Sequence, residues 1–280
     1  MTNALMIVGG LAALIAGAEV LVRAGTSLAS SLGIRPIMIG LTVVSLGTSV
    51  PELAVGIGAA RGGNGGLAVG NIVGTNLVNL LLILGLSAAL VPIALDRATL
   101  RFDLPVMTAA ALLLYVLAID GRLSSLDGII LLAGGLAYTA GLVGVGRRET
   151  VDSAESPEID GRAATDRHAP WREVLLLLVA LAVVVVGAEL LVDGAVSSAQ
   201  SLGVSDAIIG LTIVAIGTSA PEFVTTIVST VRGERELALG NLIGSSIYNI
   251  GAVLGLTVVV APHGIAVPED RKSTRLNSSH

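Results

Sequence analysis

The 280 residues include 16 basic and 21 acidic side chains, for a formal net charge of −5, with 53% hydrophobic against only 13% charged residues and a mean hydropathy of +0.88. That balance excludes a soluble globular domain, where about 25% of residues are charged, and identifies an integral membrane protein. The lack of cysteine excludes disulfides, thiolate catalysis and Cys-ligated metals, and 2% aromatic content with a net negative charge excludes nucleic acid as a partner.

In chain order, apolar stretches of spanning length run over 4–22, 36–60, 67–93, 103–119, 124–146, 172–192, 206–231 and 236–261, each near the ~20 residues a helix needs to cross the hydrocarbon. They are continuous rather than alternating, which predicts eight helical spans and not a β-barrel. The N-terminus lacks the basic region of a secretory signal, so the first stretch reads as a retained helix. Residues 147–171 are polar, charged and broken by Pro157 and Pro170, which predicts a solvated linker. The predicted organisation is a five-helix repeat over 1–146, the linker over 147–171, a three-helix repeat over 172–262, and an atypical polar tail over 263–280. With the N-terminus outside, eleven basic residues, among them Arg23, Arg35, Arg97, Arg101, Arg232 and Arg235, fall on the cytoplasmic side. Only Arg61 and Arg122 fall in the opposite connections, so the positive-inside rule predicts an outside N-terminus and a cytoplasmic linker.

One segment recurs. Gly40-Leu-Thr-Val-Val-Ser-Leu-Gly-Thr-Ser-Val-Pro-Glu52 returns 170 residues later as Gly210-Leu-Thr-Ile-Val-Ala-Ile-Gly-Thr-Ser-Ala-Pro-Glu222, and 19 of 46 positions between 40–85 and 210–255 are identical without a gap. Because five spans precede the linker, the second copy enters the membrane from the opposite side: an inverted-topology repeat, the architecture of many secondary transporters. Arg23 and Arg35 accordingly become Asp193 and Ser205 in the second copy. The same offset maps 101–146 onto 271–316, which runs past residue 280, so the arithmetic predicts that two C-terminal helices are missing and that the tail, which holds the only lysine, is foreign to the repeat; the alternative is a genuine eight-helix protein.

Glu52 and Glu222 stand mid-span, where a charge costs about 2.5–3.5 kcal/mol on insertion scales, so neither is expected to face lipid. Each ends a capping-box pattern, Ser49-x-x-Glu52 and Ser219-x-x-Glu222, with Pro51 and Pro221 in the first turn. A helix start in mid-membrane predicts a broken span. Since proline has no N–H to donate, the carbonyls of Ser45, Leu46 and Gly47, and of Ala215, Ile216 and Gly217, are expected to be freed for a cation. Thr48, Ser49, Thr218 and Ser219 add hydroxyls, which in apolar helices also bond back to the preceding turn. A second motif, Gly70-Asn-Ile-Val-Gly-Thr-Asn-Leu-Val-Asn79, is mirrored by Gly240-Asn-Leu-Ile-Gly-Ser-Ser-Ile-Tyr-Asn249. It puts Thr75 with Asn79, and Ser245 with Asn249, on one helix face each. Its glycines are expected to serve close packing, and Asn71 and Asn241 are equally compatible with packing and with the site. Glu19 is expected to pair with Arg23 at the interface, and Glu189 to be interfacial likewise.

Two carboxylates with carbonyl, hydroxyl and amide oxygens suit the six to eight oxygen ligands of Ca²⁺. His168, His263 and His280 lie outside the spans, which excludes a His-based metal centre in the membrane, and the Gly-rich Arg61–Gly66 stretch lacks the Lys-Ser/Thr of a P-loop. No enzyme constellation and no organic cofactor is expected.

At these two motifs the chain resembles the calcium:cation antiporter superfamily, the sodium/calcium exchangers and their prokaryotic relatives, over about residues 4–261. The resemblance implies a ten-helix all-α fold of two inverted five-helix repeats, of which about eight helices are present here. It also implies Ca²⁺ binding by Glu52 and Glu222 with the Thr48 and Thr218 carbonyls, and Na⁺ positions at the Ser45 and Ala215 carbonyls, Ser49, Ser219, Thr75 and Ser245, with Asn79 and Asn249 beside the centre. Many relatives carry Asp at one of those two Asn positions; this chain keeps two formal charges. The expected activity is exchange of Ca²⁺ for Na⁺ by alternating access in a prokaryotic cytoplasmic membrane, with the lipid bilayer and the two ions as partners and no obligate protein partner. The alternatives are H⁺/Ca²⁺ exchange and, from another class, a non-transporting membrane scaffold.

Overall fold

The computed structural model describes residues 2–93, 95–155, 170–261 and 264–267; the centre of the expected linker, all three histidines and most of the tail lie outside them. Ten helices follow in chain order: α1 (Thr2–Leu32), α2 (Pro36–Thr48), α3 (Val50–Arg61), α4 (Gly65–Leu90), α5 (Thr99–Leu117), α6 (Ser125–Glu155), α7 (Pro170–Ser201), α8 (206–218), α9 (Ala220–Val231) and α10 (Arg235–Val260). Six of these are long and apolar enough to cross a membrane, and the pairs α2–α3 and α8–α9, bent by 41° and 50°, bring the number to eight when each pair is counted as one span. Counted so, the eight predicted spans are present, two of them broken at the expected Ser-x-Pro. Two edge pieces, β1 (Arg122–Leu123) and β2 (Ile265–Ala266), pair antiparallel as Leu123↔Ile265. No strand was expected there, and Ile265–Ala266 falls in the stretch expected as an atypical polar tail over 263–280.

The 170-residue repeat holds element by element. Within α2, α4, α8 and α10 the helix widens to π geometry at Gly40–Val44, Val78–Ile83, Gly210–Val214 and Asn249–Leu254, positions related by the repeat offset to within a residue. Such widened turns are rare and concentrate at functional sites.

Helices α1 and α7 are 31 and 32 residues long, about ten residues longer than the stretches read from hydropathy, so Glu19 and Glu189 stand inside their helices rather than at the ends. The two helices pack antiparallel along their length. A Cβ built on Gly10 would lie 2.6 Å from the Leu191 nitrogen, one on Gly187 2.8 Å from the Leu14 nitrogen, and one on Gly194 2.9 Å from the Asn3 carbonyl. Rising numbers on one helix meet falling numbers on the other, as an inverted repeat requires. Leu14, Ala18, Leu21, Leu177 and Val184 form the apolar core between them.

A second close crossing sets the site. A Cβ on Gly240 would lie 2.5 Å from the Ile37 carbonyl, one on Gly40 2.6 Å from the Leu237 carbonyl, and one on Gly244 2.8 Å from the Leu41 Cα. Small residues let the backbones of α2 and α10 touch, the role expected for the second copy's motif glycines. Around them, α5 and α6 cover α10: the Tyr138 hydroxyl donates to Asp103 at 3.0 Å, and the Tyr138 ring meets Tyr248 edge-on at 5.9 Å. The repeats are not equally enclosed, for 78% of the apolar stretch of α10 is buried against 28% of that of α4.

Candidate cation site

The break in each bent span is local. Pro51 and Pro221 sit in the first turn of α3 and α9, and the hinge residues Ser49 and Ser219 leave helical geometry at ψ 9° and 4°. The expected capping boxes do not form, because neither serine side chain caps its helix. Instead the Ser49 hydroxyl crosses to the other repeat and donates to Glu222 Oε1 at 3.3 Å. The freed-carbonyl expectation is also corrected at Ser45. Its carbonyl accepts from the Ser49 N–H at 3.2 Å, since that N–H lies before the proline and is still available, and from the Thr48 and Ser245 hydroxyls at 3.4 Å each. Gly47 is the residue whose carbonyl faces proline four positions on and so has no helical donor.

Glu52 and Glu222 are fully buried, with Thr48, Ser49, Thr75, Asn79, Thr218, Ser219, Ser245 and Asn249 also buried; Glu222 and Thr75 face Glu52. Ala215 opens the last turn of α8 before the break. Across the α2–α10 crossing, the Thr48 hydroxyl reaches Asn241 Oδ1 at 3.2 Å and Ser245 Oγ at 3.5 Å, and Asn241 donates onward to the Thr226 hydroxyl at 3.1 Å. Asn241, left between two roles by the sequence, is fully buried and bonded at both ends of its amide; Asn71 is half-buried with its Nδ2 unpaired. One residue was missed. Asn76 donates to the Ser246 carbonyl at 3.0 Å and accepts from Asn249 Nδ2 at 3.1 Å, which ties α4 to α10 beside the centre. It lies inside the second motif, but its repeat equivalent is Ser246, so the duplication did not mark it.

What the site leaves unpaired matters most. Among the described residues, Glu52 Oε1 and Oε2, Glu222 Oε2, Asn79 Oδ1, Asn249 Oδ1 and Ser219 Oγ are buried without a hydrogen-bond partner. These are six oxygens, drawn equally from the two repeats, and three belong to carboxylates that would be charged in water. Buried polar groups are almost always paired, and an unpaired charge in hydrocarbon is costlier still. All six are hard oxygen donors, the chemistry of Ca²⁺ and Na⁺ and not of softer transition metals. Among the described residues no group of three or more Asp, Glu, His or Cys forms, so the charged part of the site is the glutamate pair alone.

A family model described as sodium/calcium exchanger protein matches residues 2–143 and 172–279. The putative antiporter CaxA of Alkalimonas amylolytica is 39% identical over 253 residues, which cover 90% of this chain and 79% of that protein. Inner membrane protein YrbG of Escherichia coli is 37% identical over 94% of this chain and 81% of its own length. A solved structure of the sodium-calcium exchanger NCX_Mj superposes with a TM-score of 0.82 at 32% identity, covering 95% of this chain and 84% of that one. With two inverted repeats meeting at a buried carboxylate pair, and with these matches, the chain belongs to the sodium/calcium exchanger family of multi-pass membrane antiporters, transporters rather than enzymes.

Proposed function

We propose that the chain exchanges Ca²⁺ for Na⁺ across a prokaryotic cytoplasmic membrane, with the N-terminus outside and the linker around 147–171 in the cytoplasm. The observation that carries this reading is the set of six donor-free buried oxygens on Glu52, Glu222, Asn79, Asn249 and Ser219. Two carboxylates balance one Ca²⁺ or two Na⁺, so occupancy by either ion displaces the other, and that competition couples the fluxes. Thr48, Thr218, Thr75, Ser245, Ser49 and the Ala215 carbonyl fill the remaining positions around the centre, while the Ser45 carbonyl, which accepts from Ser49, Thr48 and Ser245, stays out of it. Asn79 and Asn249 supply amide oxygens without adding charge, so no third cation is needed for neutrality. No protein partner and no cofactor enters this scheme. Support for the coupling ion comes from NCX_Mj, whose description names sodium and calcium, and for the membrane from YrbG, an inner membrane protein.

Loss of one charged ligand removes a charge-assisted contact of about 1.5–3 kcal/mol, which corresponds to about 10- to 100-fold in flux. Ca²⁺ uptake into vesicles under a Na⁺ gradient at clamped pH is thus expected to fall by at least about tenfold in Glu52→Gln and in Glu222→Gln. Near-normal uptake in both would overturn the site. Uptake driven by a pH gradient and indifferent to Na⁺ would replace Na⁺ by H⁺ as the coupling ion.

A further inference from the structure

Each repeat carries a pair of asparagines at matching motif positions, and the hydrogen bonds treat the two pairs differently. On α10 both amide nitrogens are committed: Asn241 Nδ2 donates to the Thr226 hydroxyl and Asn249 Nδ2 to Asn76 Oδ1, each at 3.1 Å. On α4 neither is, since Asn71 Nδ2 and Asn79 Nδ2 are buried without a partner among the described residues. Asn79 and Asn249 are related by the repeat offset, both are fully buried, and both leave Oδ1 unpaired. The difference is that no hydrogen bond decides which end of the Asn79 amide faces the centre.

For Asn249 that choice is forced. An amide has an acceptor end and a donor end of nearly the same shape, so its partners alone fix which way it points. The Ser246 carbonyl can only accept, so the end of Asn76 that meets it at 3.0 Å is Nδ2. Asn76 Oδ1 therefore faces Asn249 and takes its nitrogen, and the Asn249 oxygen is what remains for a cation. The reverse orientation would set two oxygens against each other and turn an N–H donor toward the centre. Position 246, the repeat equivalent of 76, is serine, and its hydroxyl is spent on the Leu242 carbonyl of its own helix at 2.9 Å. It gives Asn79 no such bridge.

The backbone beneath Asn249 is held as well. Buried Tyr248 meets the Thr139 hydroxyl of α6 at 2.7 Å, and because Thr139 gives its only proton to the Gly135 carbonyl at 2.9 Å, Tyr248 is the donor. About one turn on, a Cβ built on Gly251 would stand 3.0 Å from Gly135 Cα, so α6 lies directly on the widened turn that starts at Asn249. The matching positions on α4 are Val78 and Leu81, and Leu81 is exposed.

We infer that Asn76 is a positioning residue that holds the Asn249 amide oxygen-first toward the cation, while Tyr248 and Thr139 anchor the turn that carries it. The second repeat thus supplies a pre-oriented amide ligand, and Asn79 of the first supplies one that turns to suit the ion. Asn76 contributes no atom to the centre, since both ends of its amide are used. The inference rests on the reading of the glutamate pair as the cation site.

Orientation matters to an amide and not to a carboxylate, whose two oxygens are alike. Asn76→Leu, which fills the space of the amide, and Asn76→Ala, which empties it, are therefore each made with Asn249 in place and again together with Asn249→Asp. Two quantities are measured on the purified full chain: equilibrium ⁴⁵Ca²⁺ binding, and the saturating rate of Ca²⁺/Ca²⁺ self-exchange in vesicles, which needs neither Na⁺ nor a proton gradient. With Asn249 in place, both variants are expected to weaken Ca²⁺ binding about tenfold, the equivalent of about 1.4 kcal/mol, with the saturating rate kept within about threefold. Together with Asn249→Asp, the same substitutions are expected to change affinity by less than about twofold. Should one variant fail to fold, the other carries the same comparison. Equal losses in both backgrounds would mean a general loosening of the α4–α10 contact and would overturn the inference, as would unchanged affinity with Asn249 in place. Absence of Ca²⁺ binding to the unsubstituted chain would instead remove the cation site itself, and the inference with it.

Discussion

A glycine has different meanings at two positions that the repeat makes equivalent. Gly240 touches the α2 backbone, with room for no Cβ, whereas a Cβ on Gly70 meets nothing within 4 Å. Forcing a methyl group into a packed crossing costs about 1–3 kcal/mol, while alanine in place of glycine inside a helix gains up to about 1 kcal/mol. Gly240→Ala is therefore expected to lower the unfolding temperature in detergent and to open the Thr48–Ser245 contact. Gly70→Ala is expected to leave the unfolding temperature unchanged or raise it. Equal effects would mean that the α2–α10 crossing is looser than these distances indicate.

At the scale of elements, the sequence made the broken spans legible because proline, a mid-span carboxylate and small hydroxyl residues recur together at a fixed offset, and each of those properties survives without knowledge of neighbours. It did not make the hydrogen bonds legible. Ser49 looked like a helix cap because the capping pattern is local, whereas its real partner, Glu222, comes from the other repeat. The buried hydroxyls of α9 were hidden for a related reason: Thr225, Thr226, Ser229 and Thr230 sit among Val and Ile in a window whose mean hydropathy stays high. The length of α1 and α7 was missed because hydropathy registers the hydrocarbon crossing and not the helix that continues beyond it.

Loop-to-helix links carry their own testable electrostatics. Arg35, between α1 and α2, pairs with Asp96 from the connection before α5 and with Glu236 at the start of α10, the latter at 3.1 Å. Burial alone would raise the Asp96 pKa, but the Thr99 N–H at 2.7 Å and the Arg35 guanidinium hold it below the ordinary 3.8. A carboxylate depressed in this way contributes stability that is fully present above its unfolded value and lost as pH falls through the lower folded value. Both side chains are about one-third exposed, so the link is worth no more than about 1 kcal/mol. Unfolding measured against pH should accordingly show an acid-side loss below pH 3.8 that Asp96→Asn lacks, with the variant slightly less stable at neutral pH. Identical acid limbs would remove Asp96 from the link.

For the whole molecule, inverted repeats imply that the second conformation is reached when the two halves exchange roles, and the charges at the ends of α3 and α9 record which role each now holds. Glu19 of α1 is bound by Arg23 at 2.6 Å and by Arg232, whose Nε donates at 2.8 Å, just past the end of α9. Its repeat equivalent, Glu189 of α7, has no ion pair among the described residues, and neither has Arg61 at the end of α3. One face is thus tied between α1 and α9 while the other is untied between α7 and α3. Exchange of roles would part Glu19 from Arg232 and bring Glu189 to Arg61. The chain has no cysteine, so paired cysteines at 19 and 232, or at 61 and 189, can be bridged by a short cleavable thiol crosslinker without background. Each bridge alone is expected to stop Ca²⁺ self-exchange, with recovery on cleavage, and a protein carrying all four cysteines is expected to accept either bridge but never both. Both bridges in one molecule, or undiminished exchange with either in place, would show that these charges do not alternate.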